Sequence, residues 1–163
     1  MKQNLVWIAS AILLLFSGAT KVKAADHDIR VGQMRTVLES YHSPMVGHEQ
    51  VLIDTAEKYH LDWTLMAAIA GTESSFGIHM PDKCVNPYGW GIYGDNKLCF
   101  KSFDDAIVGV AEGLATKYNI SSVETIARTY NTVSTAGWIS HTRYFMNRIK
   151  SAPIPVSSLP VTL

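Results

Sequence analysis

Glu73 is the side chain of this sequence with the clearest potential for acid–base chemistry. It follows a run of small and apolar residues within residues 67–80, AAIAGTESSFGIHM. On a helix, Glu73 shares a face with Met66, Ile69 and Ala70, and we expect that face to be buried. Burial and the negative end of the helix dipole both raise the pKa of a carboxyl group at this place. A carboxyl that holds its proton near neutral pH is what glycoside cleavage needs as its general acid.

Helical geometry by itself leaves a second interpretation open, in which Glu73 turns outward and only solvates the helix end. The second carboxylate that a water-activating glycosidase needs is not evident either. Asp104 and Asp105 have a sufficient role at a helix start, whereas Asp82 and Asp95 lie in a loop. Two routes therefore stay open: hydrolysis supported by Asp82 or Asp95, or attack by the substrate's own acetamido group.

Hydrophobic periodicity predicts a mainly α-helical fold around this glutamate. The expected helices cover approximately residues 30–41, 47–59, 63–75, 103–118, 121–130 and 139–150. Asp62 is an expected N-cap, and Gly77 is the expected left-handed residue that ends the same helix. Ser102 is expected to open the next one, and Ser121 with Glu124 has the spacing of a capping box.

A long loop or small β-hairpin is expected between these helices, at residues 77–101. It contains four glycines, two prolines and both cysteines, and it carries Tyr88, Trp90 and Tyr93. Loops of this length in a compact domain are usually functional. The aromatic rings offer flat amphipathic surfaces of the kind on which sugars stack.

Cys84 and Cys99 are predicted to form a disulfide, which stabilises a fold by about 3 kcal/mol when it closes a loop of this length. A metal site that includes His79 or His141 is a weaker alternative, because the chain has no Cys-x-x-Cys and no His-Glu-x-x-His motif. Another is a peptide-cutting enzyme with Cys84 as nucleophile and His141 as base. The second cysteine favours the disulfide over both, and we expect no metal and no cofactor.

Residues 1–24 have the pattern of a removable export signal. Lys2 precedes an apolar run over residues 5–16, and a small-residue cleavage site follows at residues 22–24. The run is shorter than the ~20 residues of a membrane-spanning helix. An uncleaved membrane anchor is left open, because Lys21 and Lys23 lie close to the cut. We expect an exported protein, periplasmic or extracellular.

The remaining 139 residues suit one domain with a hydrophobic core. We place a lead-in at residues 25–45, the domain at residues 46–150 and a disordered tail at residues 151–163. These 139 residues contain 11 basic and 14 acidic side chains, a formal charge of −3. A nucleic-acid binder usually has a basic surplus, so this class is excluded.

Three short segments resemble lysozyme-like peptidoglycan-cleaving enzymes, which include lytic transglycosylases and bacterial glucosaminidase domains of the mannosyl-glycoprotein endo-β-N-acetylglucosaminidase type. Residues 73–77, ESSFG, resemble the end of their catalytic helix. Residues 86–91, NPYGWG, are similar to the N-x-F-G segment of glucosaminidases, and residues 100–107 follow as they do there. Residues 128–131, RTYN, with Trp138 after them, are similar to the YN segment that lines the cleft. The resemblance spans roughly residues 46–149.

This resemblance implies a lysozyme-like helical domain in which a small loop or hairpin insertion borders a glycan cleft. It implies that Glu73 protonates the leaving oxygen of a β-1,4 bond next to an N-acetylated sugar. Tyr130 matches the tyrosine that approaches the reacting sugar, although its sequence position alone favours core packing. The expected substrate-binding residues are Ser75, Phe76, Asn86, Tyr88, Trp90, Tyr93 and Trp138.

The resulting functional expectation is cleavage of peptidoglycan glycan strands by endo-β-N-acetylglucosaminidase-like hydrolysis. A lytic transglycosylase that leaves 1,6-anhydro ends is the first alternative, and a non-catalytic envelope glycan-binding protein is the second. We expect a monomer whose main partner is the glycan strand, with a secretion-system or envelope protein as a further candidate partner.

Overall fold

The computed structural model describes residues 28–92, 94 and 96–154 of the chain. This part contains six α-helices and no β-strand, which confirms the predicted mainly α-helical class. The helices are α1 (Ile29–Ser40), α2 (Glu49–Lys58), α3 (Leu65–Ser74), α4 (Phe103–Lys117), α5 (Val123–Tyr130) and α6 (Thr135–Lys150). The predicted signal at residues 1–24, Tyr93, Asp95 and residues 155–163 of the predicted tail lie outside the described residues. Within these limits, no helix has both the length and the apolar character needed to cross a membrane.

Helix α3 lies at the centre of the fold, because its sequence is apolar on nearly all sides. Every residue from Leu65 to Gly71 is buried. It packs most extensively against α6, which also contacts α1 and α5, while α2 contacts α1, α3 and α4. Glu73 therefore lies in the last turn of a helix whose preceding turns are fixed in the core.

Helix α1 belongs to the same core, although it lies in the predicted lead-in of residues 25–45. It contributes the buried side chains of Met34, Val37 and Leu38. Residues 151–154, the start of the predicted tail, lie along this helix: Gln33 donates to the carbonyl of Ala152 and Thr36 to that of Pro153. The packed helical body consequently begins at α1 and continues past the end of α6.

The end of α3 differs from the prediction that Gly77 supplies its left-handed residue. Ser75 already has φ 50° and ψ 52°, and both Phe76, at φ 59°, and Gly77, at φ 84°, follow in the same region. The N–H of Ser75 donates to the carbonyl of Gly71 and that of Phe76 to the carbonyl of Ala70, so backbone hydrogen bonds close the end of the helix. Left-handed conformations strain residues other than glycine, and here the fully buried ring of Phe76 holds the turn in place.

Two other helix starts differ from the prediction by one residue or one turn. The capping box of α5 is formed by Ser122 and Thr125, one position after the predicted pair Ser121 and Glu124. Helix α6 begins at Thr135, a full turn earlier than expected. Asp62 accepts from the N–H of Thr64, so it caps the turn that precedes α3. Ser102 caps α4 as predicted, because its hydroxyl accepts from the N–H of Asp105.

The segment between α3 and α4 is a loop with one isolated antiparallel bridge, Val85 to Phe100, among its described residues. The disulfide between Cys84 and Cys99 lies directly beside this bridge and is as predicted, with the two Cα atoms 5.0 Å apart. Both sulfurs are used in this bond, so neither cysteine has a free thiol to act as a nucleophile. The disulfide and the bridge together close the loop that carries Tyr88 and Trp90.

Candidate functional site

The carboxyl group of Glu73 turns inward from the last turn of α3 and is half-buried. Its Oε1 accepts a 2.6 Å hydrogen bond from the indole Nε1 of Trp138, in the second turn of α6. Burial raises the pKa of Glu73, and the Trp138 N–H opposes part of that rise because it stabilises the carboxylate. The result is a carboxyl group that releases its proton at higher pH than an exposed glutamate does.

Glu73 lies at the edge of a depression of about 220 Å³ between α3 and the start of α6. The other residues that line it are Thr72, Asn131, Ser134, Gly137, Trp138 and His141. Glu73 is the one acidic side chain in this set. Among the described residues, the site thus brings a single carboxyl group to a wall made otherwise of hydroxyls, an amide, an indole and an imidazole.

A larger depression of about 460 Å³ lies on the other side of Tyr130. It is lined by Gly89, Trp90, Gly91, Ile92, Lys117, Tyr118, Thr129, Tyr130 and Thr132, and none of these residues is acidic. The two depressions meet at residues 130–132, in the turn from α5 to α6. Glu73 lies in the smaller depression, and the larger one is lined by the residues on either side of Asn131.

Four aromatic rings, which we call the aromatic row, connect this larger depression to Glu73. Trp90 packs against Tyr118 and Tyr130, with ring centroids 5.6 and 5.7 Å apart, and Tyr130 packs on Trp138 at 5.2 Å. The indole of Trp138 then bonds Glu73. Trp138 is only 3% exposed. Its ring therefore has little surface for sugar stacking, and what it offers the site is its N–H.

Tyr130 lies between Trp90 and Trp138 in the aromatic row. Its hydroxyl donates to the backbone carbonyl of Tyr88 at 2.7 Å. Burial raises the pKa of Tyr130 well above its ordinary value, and the neighbouring charge of Glu73 raises it further. The phenol therefore keeps its proton at neutral pH and acts as a donor. In this structure it positions the loop, and the hydrogen bond to Glu73 comes from Trp138.

Asn86 and Tyr88 hold the loop from within, so a sugar could not touch them without displacing it. The amide of Asn86 donates to the carbonyls of Trp90 and Leu98 and accepts from the N–H groups of Tyr88 and Trp90. Tyr88 is fully buried. These two predicted substrate-binding residues thus fix the backbone around Gly89 and the position of Trp90.

The ESSFG segment contains two predicted substrate-binding residues, Ser75 and Phe76, and only Ser75 is partly exposed. Phe76 is fully buried against Phe145, with ring centroids 4.9 Å apart, so it packs in the core and cannot meet a substrate directly. Ser75 is half-buried in the left-handed turn after α3. The hydroxyl of Ser74 donates to the carbonyl of Pro87 and accepts from the N–H of Gly77. Ser74 therefore ties the end of α3 to the loop.

Two glycines shape the site and were not recognised from the sequence. A Cβ on Gly89 would lie 3.3 Å from Oε2 of Glu73, and one on Gly113 would lie 2.5 Å from Cζ2 of Trp90. Gly89 therefore lets the loop backbone approach the carboxyl group, while Gly113 in α4 makes room for the indole. Gly113 could have been noticed in the sequence, because glycine destabilises a helix interior relative to alanine and its presence there indicates a steric requirement.

The chain matches no protein-family model, no curated protein and no solved structure.

Proposed function

We propose that this helical body is a lysozyme-like domain of an exported enzyme that cleaves the glycan strands of peptidoglycan, with Glu73 as the general acid. The observation that carries the proposal is the carboxyl group itself: it is half-buried, its pKa is raised by burial, and it borders an open depression. A carboxyl group whose pKa is raised in this way holds its proton to higher pH than an exposed glutamate does, and it can give that proton to the leaving oxygen of a glycosidic bond.

The proton transfer from Glu73 must be accompanied by attack on the anomeric carbon. Glu73 is the one acidic side chain among the described residues that line the two depressions. This favours attack by the acetamido oxygen of the same sugar, a route that needs no second carboxylate. The glycosidic C–O bond breaks, its oxygen takes the proton of Glu73, and the ionised Glu73 is left as the base for the next step.

The second step decides the product. In the hydrolytic reaction, which we propose first, water opens the acetamido intermediate, Glu73 takes a proton from that water, and a reducing end forms. In the alternative reaction of a lytic transglycosylase, the 6-hydroxyl of the sugar attacks, Glu73 takes its proton, and a 1,6-anhydro end forms. The two routes use the same carboxyl group in the same two roles, so the product distinguishes them.

The aromatic row gives the glycan a surface on which to lie. Trp90 is half-buried and lines the larger depression together with Tyr118 and Tyr130. Sugar rings stack on such faces, because their C–H groups pack against the flat aromatic surface. We propose that Trp90 holds a sugar next to the one that reacts at Glu73. The disulfide is in keeping with the oxidising compartment in which peptidoglycan is found.

The proposal is tested by incubating purified cell-wall sacculi with the wild type, with Glu73→Gln and with Glu39→Gln. Glu39 is an exposed carboxyl on α1 that lines neither depression, so its variant controls for the loss of an acidic group. We expect the wild type and Glu39→Gln to solubilise the sacculi and Glu73→Gln to be inactive. Equal activity of Glu73→Gln would remove this carboxyl from the reaction. Tight binding to sacculi without cleavage by any of the three would favour the glycan-binding protein.

A further inference from the structure

The two oxygens of the Glu73 carboxyl have different surroundings. Oε1 accepts the 2.6 Å hydrogen bond from the indole of Trp138. Oε2 faces Gly89, where a Cβ atom would lie 3.3 Å away but none is present. One oxygen is thus occupied by a buried donor, whereas the other faces backbone that has no side chain.

This difference fixes where an acidic proton can lie. The indole N–H of Trp138 can only donate, so it favours the carbonyl oxygen of the acid, which is a stronger acceptor than the hydroxyl oxygen. In protonated Glu73, Oε1 is then the carbonyl oxygen and Oε2 carries the hydrogen. The indole has little freedom to leave this place, because it is 3% exposed and packed on the ring of Tyr130.

We propose that Trp138 is a positioning residue: its indole N–H holds Oε1 and thereby makes Oε2, beside Gly89, the oxygen that delivers the proton. This inference rests on the proposed function for its catalytic meaning, but the hydrogen bond that it concerns can be measured without any substrate. Trp138 does not itself meet the sugar, and it acts only through Glu73.

None of the titratable side chains described around Glu73 forms a hydrogen bond with its carboxyl group. From α5, the hydroxyl of Tyr130 is committed to the carbonyl of Tyr88. From α6, His141 lines the same depression, and its side chain is exposed. From α4, Lys117 lies in the larger depression. Within the described structure, Trp138 is the one side chain with a hydrogen bond to the carboxyl group of Glu73.

The first test is a pH titration of the ¹³C,¹⁵N-labelled wild-type protein by NMR. We expect the indole N–H resonance of Trp138 to shift with the same midpoint as the side-chain carboxyl ¹³C resonance of Glu73. The matched control is Glu73→Gln, in which the Trp138 resonance should no longer follow that titration. A Trp138 resonance that stays constant through the Glu73 midpoint in the wild type would overturn the proposal, whether or not the protein cleaves glycans.

The second test is Trp138→Phe, which keeps an aromatic ring and removes the donor. Since the N–H stabilises the carboxylate, we expect the Glu73 midpoint to rise by about one pH unit. Trp63→Phe is the control, because Trp63 is a half-buried tryptophan that lines neither depression. An unchanged midpoint in a folded Trp138→Phe protein would contradict the positioning role.

If the protein cleaves glycan strands, Trp138→Phe should also move the alkaline limb of the pH–rate profile upward, because the acid stays protonated to higher pH. It should lower kcat about tenfold through a less ordered carboxyl group, with KM nearly unchanged because the indole is buried. A fall in thermal stability with an unmoved pH profile would instead identify Trp138 as a packing residue. Inactivity of the wild type would refute the proposed function and leave the NMR result intact.

Discussion

The hydroxyl of Tyr130 donates a 2.7 Å hydrogen bond to the backbone carbonyl of Tyr88, and this bond joins α5 to the loop that faces Glu73. Gly89, the residue whose backbone approaches Oε2 of Glu73, comes directly after that carbonyl. The position of the loop over the carboxyl group therefore depends on an aromatic side chain from a different helix.

We expect Tyr130→Phe to lower the free energy of unfolding and Tyr88→Phe not to lower it. The first removes a hydrogen bond and leaves a buried carbonyl without it, which should lower the free energy of unfolding by about 1–2 kcal/mol. The second removes a buried hydroxyl that has no partner among the described residues, so its effect should be neutral or stabilising. Urea denaturation measures both. A larger loss in Tyr88→Phe than in Tyr130→Phe would contradict these assignments.

Removal of the disulfide should loosen the loop and leave the helices intact. Cys84 and Cys99 are 15 positions apart, and a crosslink over this distance contributes about 3 kcal/mol. We expect the double variant Cys84→Ser, Cys99→Ser to lose about this much in urea denaturation while its far-ultraviolet circular dichroism stays helical. The wild type in excess dithiothreitol should behave in the same way. Loss of the helical spectrum in the double variant without urea would show that the disulfide supports the whole core.

Gly113→Ala should displace Trp90, although alanine is normally the better helix residue by about 1 kcal/mol. The new Cβ would lie 2.5 Å from the indole, closer than any real contact, so the ring must move out of its place. We expect a red shift of tryptophan fluorescence and a lower affinity for glycan fragments. Gly109→Ala on the same helix is the control, because its Cβ would contact Phe100, 3.1 Å away, and would leave Trp90 in place. Equal glycan affinity in both variants would show that Trp90 is not a binding surface.

Glu73 and Glu49 should affect the pH dependence of stability in opposite directions. Burial raises the folded-state pKa of Glu73 above its unfolded value, so the wild type loses stability as pH rises between the two. Glu73→Gln is free of this loss. It should be more stable than the wild type at pH 8, with the difference vanishing near pH 4, about the pKa of an unfolded glutamate.

Glu49 provides the opposite case. Its side chain is 2% exposed, and burial acts to raise its pKa. Hydrogen bonds from Arg35 and from the N–H of Gly47 outweigh burial and hold that pKa below its ordinary value. The stability that it contributes is present above the unfolded pKa and is lost as pH falls through the folded one. Glu49→Gln should therefore be less stable than the wild type at pH 8, and urea denaturation at pH 4, 6 and 8 separates the two variants.

The helices could be predicted because their determinants are local. Apolar periodicity and Ser102 as N-cap specify α4 within the sequence itself, and two cysteines in an expected exported chain were enough to predict the disulfide. The end of α3 could not be predicted in the same way. Gly77 is left-handed as its residue type predicts, but Ser75 and Phe76 before it are left-handed too, and the ring of Phe76 is fully buried. Tertiary packing here outweighs a local preference.

The burial of Glu73 was predictable from the sequence, and its contacts were not. The helical face of Glu73 follows from its spacing to Ile69 and Ala70, and both of these are fully buried. That Trp138 bonds Glu73 depends on α6 beginning a turn early and crossing α3, which no short segment of sequence encodes. For the same reason, the sequence could not distinguish an aromatic residue that lines a depression, such as Trp90, from one that is buried, such as Tyr88.

The most direct test of the central claim is the mass of the fragments that the protein releases from purified sacculi. We expect the wild type to release disaccharide-containing fragments and Glu73→Gln to release none. Reducing ends would identify the hydrolytic reaction, and fragments one water lighter would identify the anhydro-forming reaction at the same carboxyl group. Fragments released at the same rate by Glu73→Gln as by the wild type would contradict the account.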